Sequence, residues 1–142
     1  MMTVQVRGRI NAAADAVFTD ISDFGNLDRL AVVESCTVEG SGVGAVRTVT
    51  FTDKTLGVVV ERLESCDPRT RTLSYRILND DCLLPVENYL ATVKVIADGP
   101  NACVLEWGSV FTPRGASEQE IRLMFEGFYT AAVDMTRRAV GG

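Results

Sequence analysis

The sequence predicts an α+β domain in which a curved antiparallel sheet of about seven strands wraps around one long C-terminal helix. Two observations predict it. Ser117 followed by Glu120 is a capping-box signature. After it Ile121, Met124, Phe125, Phe128, Ala132, Met135 and Ala139 recur at spacings of three and four, one apolar stripe of a helix from Ser117 to Ala139. Upstream, short stretches of alternating apolar and polar residues follow one another across turn-type residues, the pattern of an antiparallel meander. A helix of that span is on the order of 34 Å long, and so broad an oily face needs the sheet as its partner.

In chain order, Thr3–Ile10 alternates with Val4, Val6, Gly8 and Ile10 on one side. Asn11 is the expected N-cap of a short helix over Ala12–Ile21, and a second helical piece, Phe24–Leu30, follows the break at Asp23–Gly25. Strands are expected at Val32–Glu39, Ala45–Thr52, Val58–Cys66, Thr72–Leu78, Glu87–Ala97 and Cys103–Phe111. Gly40, Gly42 and Gly44 make a flexible bend, Asp53-Lys54-Thr55 a turn, and Asp67-Pro68-Arg69-Thr70 a type I turn by its chemistry. Asp98-Gly99-Pro100-Asn101 turns the chain into the last strand. Glu118 and Glu120 at the start of the long helix and Arg137 and Arg138 at its end suit the helix dipole, and Gly141 is a plausible stop.

With 142 residues, 46% of them hydrophobic, residues 1–142 suit a single domain with a real core. A net charge of −5 argues against a nucleic-acid partner, which needs a basic face. No apolar run approaches the ~18 residues of a membrane span, and Met1–Val6 lacks the pattern of a signal peptide. Cys36, Cys66, Cys82 and Cys103 fit neither a disulfide framework nor a metal motif, so they read as free thiols used for packing, and the expected location is cytoplasmic. Histidine is absent. Without it a hydrolase triad or a zinc site is not expected, no cofactor is implied, and any chemistry rests on Glu, Asp, Tyr, Arg, Lys or Cys.

The informative residues are polar ones on inward faces. Thr48, Thr50 and Thr52 form a solvated row, which turns Arg47, Val49 and Phe51 inward; the next strand turns Val59, Glu61 and Leu63 the same way. Tyr75 and, further on, Tyr89 and Ala91 share that face. A buried unpaired charge costs several kcal/mol. Arg47 therefore forms an internal ion pair with Glu61 or Glu106, or these groups line a wet cavity for a ligand, or one carboxylate has a raised pKa and acts as acid or base. On the last strand the alternation alone favours Trp107 inward and Glu106 outward. Gly127, costing about 1 kcal/mol inside a helix, marks a place for close approach of a backbone or ligand.

Several stretches, in this order, carry a resemblance over essentially the whole chain: Val38-Glu39-Gly40-Ser41-Gly42-Val43-Gly44 with Arg47, Glu61-Arg62-Leu63 leading to Asp67, Ser74-Tyr75-Arg76-Ile77, Leu84-Pro85-Val86-Glu87-Asn88-Tyr89, and Thr112-Pro113-Arg114-Gly115. They resemble the helix-grip fold of the START-like or SRPBCC superfamily, and within it the bacterial polyketide cyclase/dehydrase group. They are also similar to plant abscisic-acid receptors. Carried over by position, Glu61, Tyr75, Tyr89, Glu106, Met124, Phe128 and Ala132 fall where those receptors line their pocket. The receptors' gate and latch motifs are absent: Thr52–Gly57 and Leu84–Val86 stand in their places, and Leu30 replaces their carboxylate-binding lysine.

The resemblance implies binding of a small hydrophobic, polyketide-like or aromatic metabolite, or a lipid, in an internal cavity between sheet and helix. The alternative is an enzyme of the cyclase/dehydratase type, with Glu61 or Glu106 as general acid/base and Tyr75, Tyr89 or Arg47 polarising a carbonyl. Expected ligand-binding residues are Arg47, Val49, Phe51, Val59, Glu61, Tyr75, Tyr89, Ala91, Glu106, Met124, Phe128 and Ala132. The expected partner is a small apolar molecule, with a homodimer as a further option.

Overall fold

The computed structural model describes all of residues 1–142. Its order is β1 (Met2–Ile10), α1 (Ala14–Ile21), a 3₁₀ turn (Asn26–Arg29), β2 (Val33–Glu39), β3 (Val46–Phe51), β4 (Val58–Asp67), β5 (Thr72–Ile77), β6 (Val86–Ala97), β7 (Cys103–Pro113) and α2 (Glu118–Val140). The seven strands form one antiparallel sheet in the order β1-β7-β6-β5-β4-β3-β2. Every consecutive pair from β2 to β7 is a neighbour, and β1 closes onto β7, as short turns between alternating stretches require.

Alternation sets the buried face. Val49 and Phe51, Val59 and Leu63, Leu73 and Tyr75, and Ala91, Val93 and Val95 all point into the core. Register breaks between Val33 and Ser35, Leu63 and Ser65, and Glu87 and Leu90 insert extra residues that bend the sheet. α2 lies in the concavity, against β1, β7 and α1. The Ser117 hydroxyl accepts from Glu120 N at 3.2 Å and donates to Glu120 Oε1 at 2.9 Å, so the capping box closes the helix start. Gly141, at φ 74°, ends it in the left-handed conformation.

Four expectations about the helices change. α1 begins at Ala14 behind Ala13, with no side-chain cap, so Asn11 lies outside the helix. The second helical piece shrinks to the 3₁₀ turn, pinned by Asn26 donating to Asp20 O at 2.8 Å. On α2 the buried stripe runs Ile121, Phe125, Tyr129, Ala132, Val133, Met135 and Thr136; Met124 and Phe128 are half-buried and Ala139 is exposed. Gly127 is exposed too, with open space where a side chain would stand, so it marks no close approach.

The close approach occurs at Gly8 instead. A Cβ there would sit 2.6 Å from Val133 Cγ1 and 2.9 Å from Arg137 Nη2. Glycine on β1 is what lets α2 settle onto the sheet. Gly8→Ala is expected to cost about 1–3 kcal/mol by overpacking, read by denaturant melts. Val133→Ala in the same chain should recover part of that loss, whereas additive losses would mean that the clash is relieved elsewhere.

Candidate ligand cavity

Arg47 and Glu61 stand directly opposite each other on β3 and β4. Both are buried, with the Arg47 side chain 4% and the Glu61 side chain 10% exposed. Arg47 Nε donates to Glu61 Oε1 at 2.7 Å, and its Nη1 donates to the Phe24 carbonyl at 3.2 Å. The guanidinium lies 4.0 Å from the Phe24 ring centroid and 4.6 Å from that of Tyr75. Burial, the largest single influence, pulls the Arg47 pKa down, but the charge and hydrogen bond of the facing Glu61, with Tyr75 and Cys36, together outweigh it and the net shift is upward. One atom is left over: Arg47 Nη2 is buried and has no hydrogen-bond partner.

That guanidinium forms part of the wall of a cavity of about 70 Å³ between the sheet and α2. Of 18 lining residues 16 are hydrophobic, which leaves Arg47 and Glu61 as its two charged groups. β3 to β5 supply Val49, Phe51, Val59, Tyr75 and Ile77; β6 and β7 supply Tyr89 and Trp107; α2 supplies Phe125, Phe128, Tyr129 and Ala132. Leu27, Leu30, Val32, Val33 and Leu84 complete the lining. Phe51 stacks on Phe128 with centroids 5.7 Å apart, and Tyr89 meets Phe125 at 5.5 Å. Aromatic rings thus fill most of the concavity.

The hydroxyls are ordered. Trp107 Nε1 donates to Tyr75 Oη at 2.9 Å, and Tyr129 donates to Ser109 Oγ at 2.6 Å. Because the single Tyr129 proton goes to Ser109, Tyr89 is the donor in the buried Tyr89–Tyr129 hydrogen bond. Burial, then the nearby Glu61 charge, pushes the Tyr75 pKa up to about 12. Burial foremost, then neighbouring phenols, drives Tyr89 and Tyr129 well above the ordinary tyrosine value. All three stay protonated at neutral pH, as hydrogen-bond donors and not as bases.

The predicted residues divide accordingly. Arg47, Val49, Phe51, Val59, Glu61, Tyr75, Tyr89, Phe128 and Ala132 line the cavity together. Ala91 is buried and Met124 half-buried without reaching it. Glu106 is a correction: it points to the outer face, where it pairs with Arg7 of β1, and Trp107 takes the inward place that alternation favours. Tyr129, missed by the expected stripe, and Phe24, which lies in no periodic stretch, complete the polar centre. Tyr129 follows Phe125 by four residues, so the signal for it was in the helix spacing.

The profile of the "Polyketide cyclase / dehydrase and lipid transport" family matches residues 1–141. The chain belongs to this family. No curated protein matches it. Among solved structures, the protein XoxI from Bacillus cereus is 28% identical, with a TM-score of 0.84 over 99% of this chain and 96% of its own. Norcoclaurine synthase from Thalictrum flavum, in complex with dopamine and hydroxybenzaldehyde, is 22% identical, with a TM-score of 0.78 over 98% and 86%. The Zhui aromatase/cyclase from Streptomyces sp. R1128 is 18% identical, with a TM-score of 0.80 over 99% and 93%. The last two likenesses show the fold alone, a curved antiparallel sheet gripping a C-terminal helix. No helix is long and apolar enough to cross a membrane.

Tyr75, Tyr89 and Tyr129 are the chain's only tyrosines, so their ionisation is readable in bulk. Above about pH 10 the unfolded chain gives up phenolic protons that the folded chain keeps. Their contribution to stability is therefore intact below that pH and is lost as pH rises toward and past 12. Phenolate absorbance should stay flat through pH 10 and climb together with loss of near-ultraviolet dichroism. A one-tyrosine step near pH 10 with the fold intact would contradict the burial described.

Proposed function

We propose that this domain binds a small, largely apolar metabolite, aromatic or polyketide-like, whose oxygen accepts a hydrogen bond from Arg47. The observation that carries this reading is the unpartnered, buried Nη2 at the wall of an otherwise oily cavity. A buried donor without an acceptor costs about 1–3 kcal/mol, and a ligand oxygen removes that cost. The guanidinium charge is already balanced by Glu61. A ligand carboxylate would add an uncompensated buried charge, so a neutral carbonyl or hydroxyl is the fitting group.

Size sharpens the proposal. A cavity of about 150 Å³ takes up benzene, and this one holds about 70 Å³. Binding of a ring therefore requires side chains to move. Leu27, Ile77 and Phe128, half-buried at the wall, and Val32, 40% exposed, are the least confined. A protein of this fold, norcoclaurine synthase, has been captured with hydroxybenzaldehyde, a molecule of the class proposed. The four unpaired cysteines suit a reducing, cytoplasmic setting.

A second reading is turnover. Glu61 lies in the cavity wall beside protonated tyrosines, which is the arrangement for a base that removes a proton next to a carbonyl polarised by Arg47 or Tyr75. Glu106, on the outer face, is withdrawn from this role.

Native mass spectrometry with acetophenone and ethylbenzene tests the binding reading. The ketone should be retained at least about tenfold more tightly than the hydrocarbon, matching a charge-assisted hydrogen bond of about 1.5–3 kcal/mol. Arg47→Met with Glu61→Leu, replaced together so that no lone charge remains buried, should erase that preference. Equal retention by both chains would remove Arg47 from the site, and no retention of either compound would remove the binding reading. Should a polyketone substrate turn over, Glu61→Gln is expected to slow the chemical step by about 10²–10⁴ while binding persists.

A further inference from the structure

A second hollow adjoins the cavity where the sheet comes apart. β5 and β6 pair from Thr72↔Lys94 to Arg76↔Leu90 and no further. Beyond that point β5 follows β4: Leu78 N donates to Val60 O at 2.7 Å, and the Asn79 side chain bonds Val60 N and Val58 O, both at 2.9 Å. The start of β6 follows β7 instead, pairing Val86↔Pro113 and Glu87↔Thr112, with Arg114 N donating to Pro85 O at 2.9 Å. Between them Asn88 takes a left-handed φ of 54° at the register break. A groove of about 310 Å³ occupies the split.

Groove and cavity share two residues, Ile77 and Tyr89. These two side chains are the partition between a polar, solvent-facing hollow and the oily core. The groove's charges balance: Arg76 and Arg114 against Asp80 and Glu87. Both arginines already have carboxylate partners, Glu64 and Glu87. Its rim therefore offers hydrogen bonds without favouring either sign of charge.

The geometry points to the split between β5 and β6 as the way into the cavity, and to an amphiphilic ligand: an apolar body seated past Ile77 and Tyr89, and an uncharged, hydrogen-bonding end left in the groove. This rests on the cavity-binding reading above. It also accounts for the volumes, because a cavity of about 70 Å³ accommodates only part of a metabolite while the adjoining groove takes the remainder. Swinging Ile77 aside needs no unpairing of strands, since the ladder there is already open, while the Tyr89 hydroxyl stays anchored on Tyr129.

Trp107 is the chain's single tryptophan and lines the cavity, so quenching of its fluorescence reports occupancy. The probes are nitrobenzene and para-nitrophenyl β-glucoside, mixed with the full chain by stopped flow. Ile77→Ala should raise the uptake rate of both at least about fivefold. Asp80→Phe, an exposed change that fills the groove without touching the core, should lower it by a similar factor. Asp80→Phe should also weaken the glucoside at least about fivefold while leaving the equilibrium affinity for nitrobenzene in place. Rates that ignore both substitutions but fall with Val32→Phe, on the β2 side of the cavity, would overturn the route. Retention of nitrobenzene without the glucoside would overturn the amphiphile. If neither probe quenches Trp107 in the unaltered protein, the cavity reading falls along with it.

Discussion

A guanidinium cannot be taken out of water unless something answers its charge and its donors, and the centre of this domain is arranged around that demand. Arg47 is met by a carboxylate from the next strand, a carbonyl from the loop after α1, and two aromatic faces. Those partners come from Glu61, Phe24 and Tyr75, so one side chain ties β3, β4 and β5 to the segment that caps the open end of the sheet. Breaking such a pair by removing one partner costs about 3–5 kcal/mol. The arrangement is a framework for the core as much as a feature of the cavity.

Volume is the second constraint. A sheet bent around a single helix encloses more space than the helix backbone fills, and here phenylalanine, tyrosine and tryptophan rings occupy the difference. Their edges leave a small residual hollow, not a preformed pocket. On the binding reading proposed above, specificity has two sources of different kinds. Polar matching at Arg47 is fixed in place, while the room for a ligand is created by displacing side chains whose packing is loose.

The fold was legible because period and punctuation agreed. Ser117 with Glu120 placed the helix start, and the threonine row on β3 put Arg47 inward before any pairing was known. Parity on β4 did the same for Glu61. Parity on β7 was also right about Trp107, and position-by-position resemblance misled at Glu106, because likeness of fold does not fix what each side chain faces. Tyr129, Val133 and Thr136 were obscured by drawing the helical stripe around Met124 and Phe128, a rotation of less than one residue. Phe24 carried no signal at all: its carbonyl and ring matter through a contact 23 residues away in sequence. The volume left among packed rings is a property of three-dimensional packing and has no linear signature.

The outer margin of the sheet has its own consequence. β2 ends the order on one side, with unpaired backbone groups that would welcome an additional strand. Its ladder is interrupted between Val33 and Ser35, and Glu34 and Glu39 project into solvent along it. An incoming segment would lose registry within a few residues and meet two carboxylates. The margin thus guards against amyloid-like accretion, and it does so with backbone irregularity and charge, independently of whatever occupies the interior.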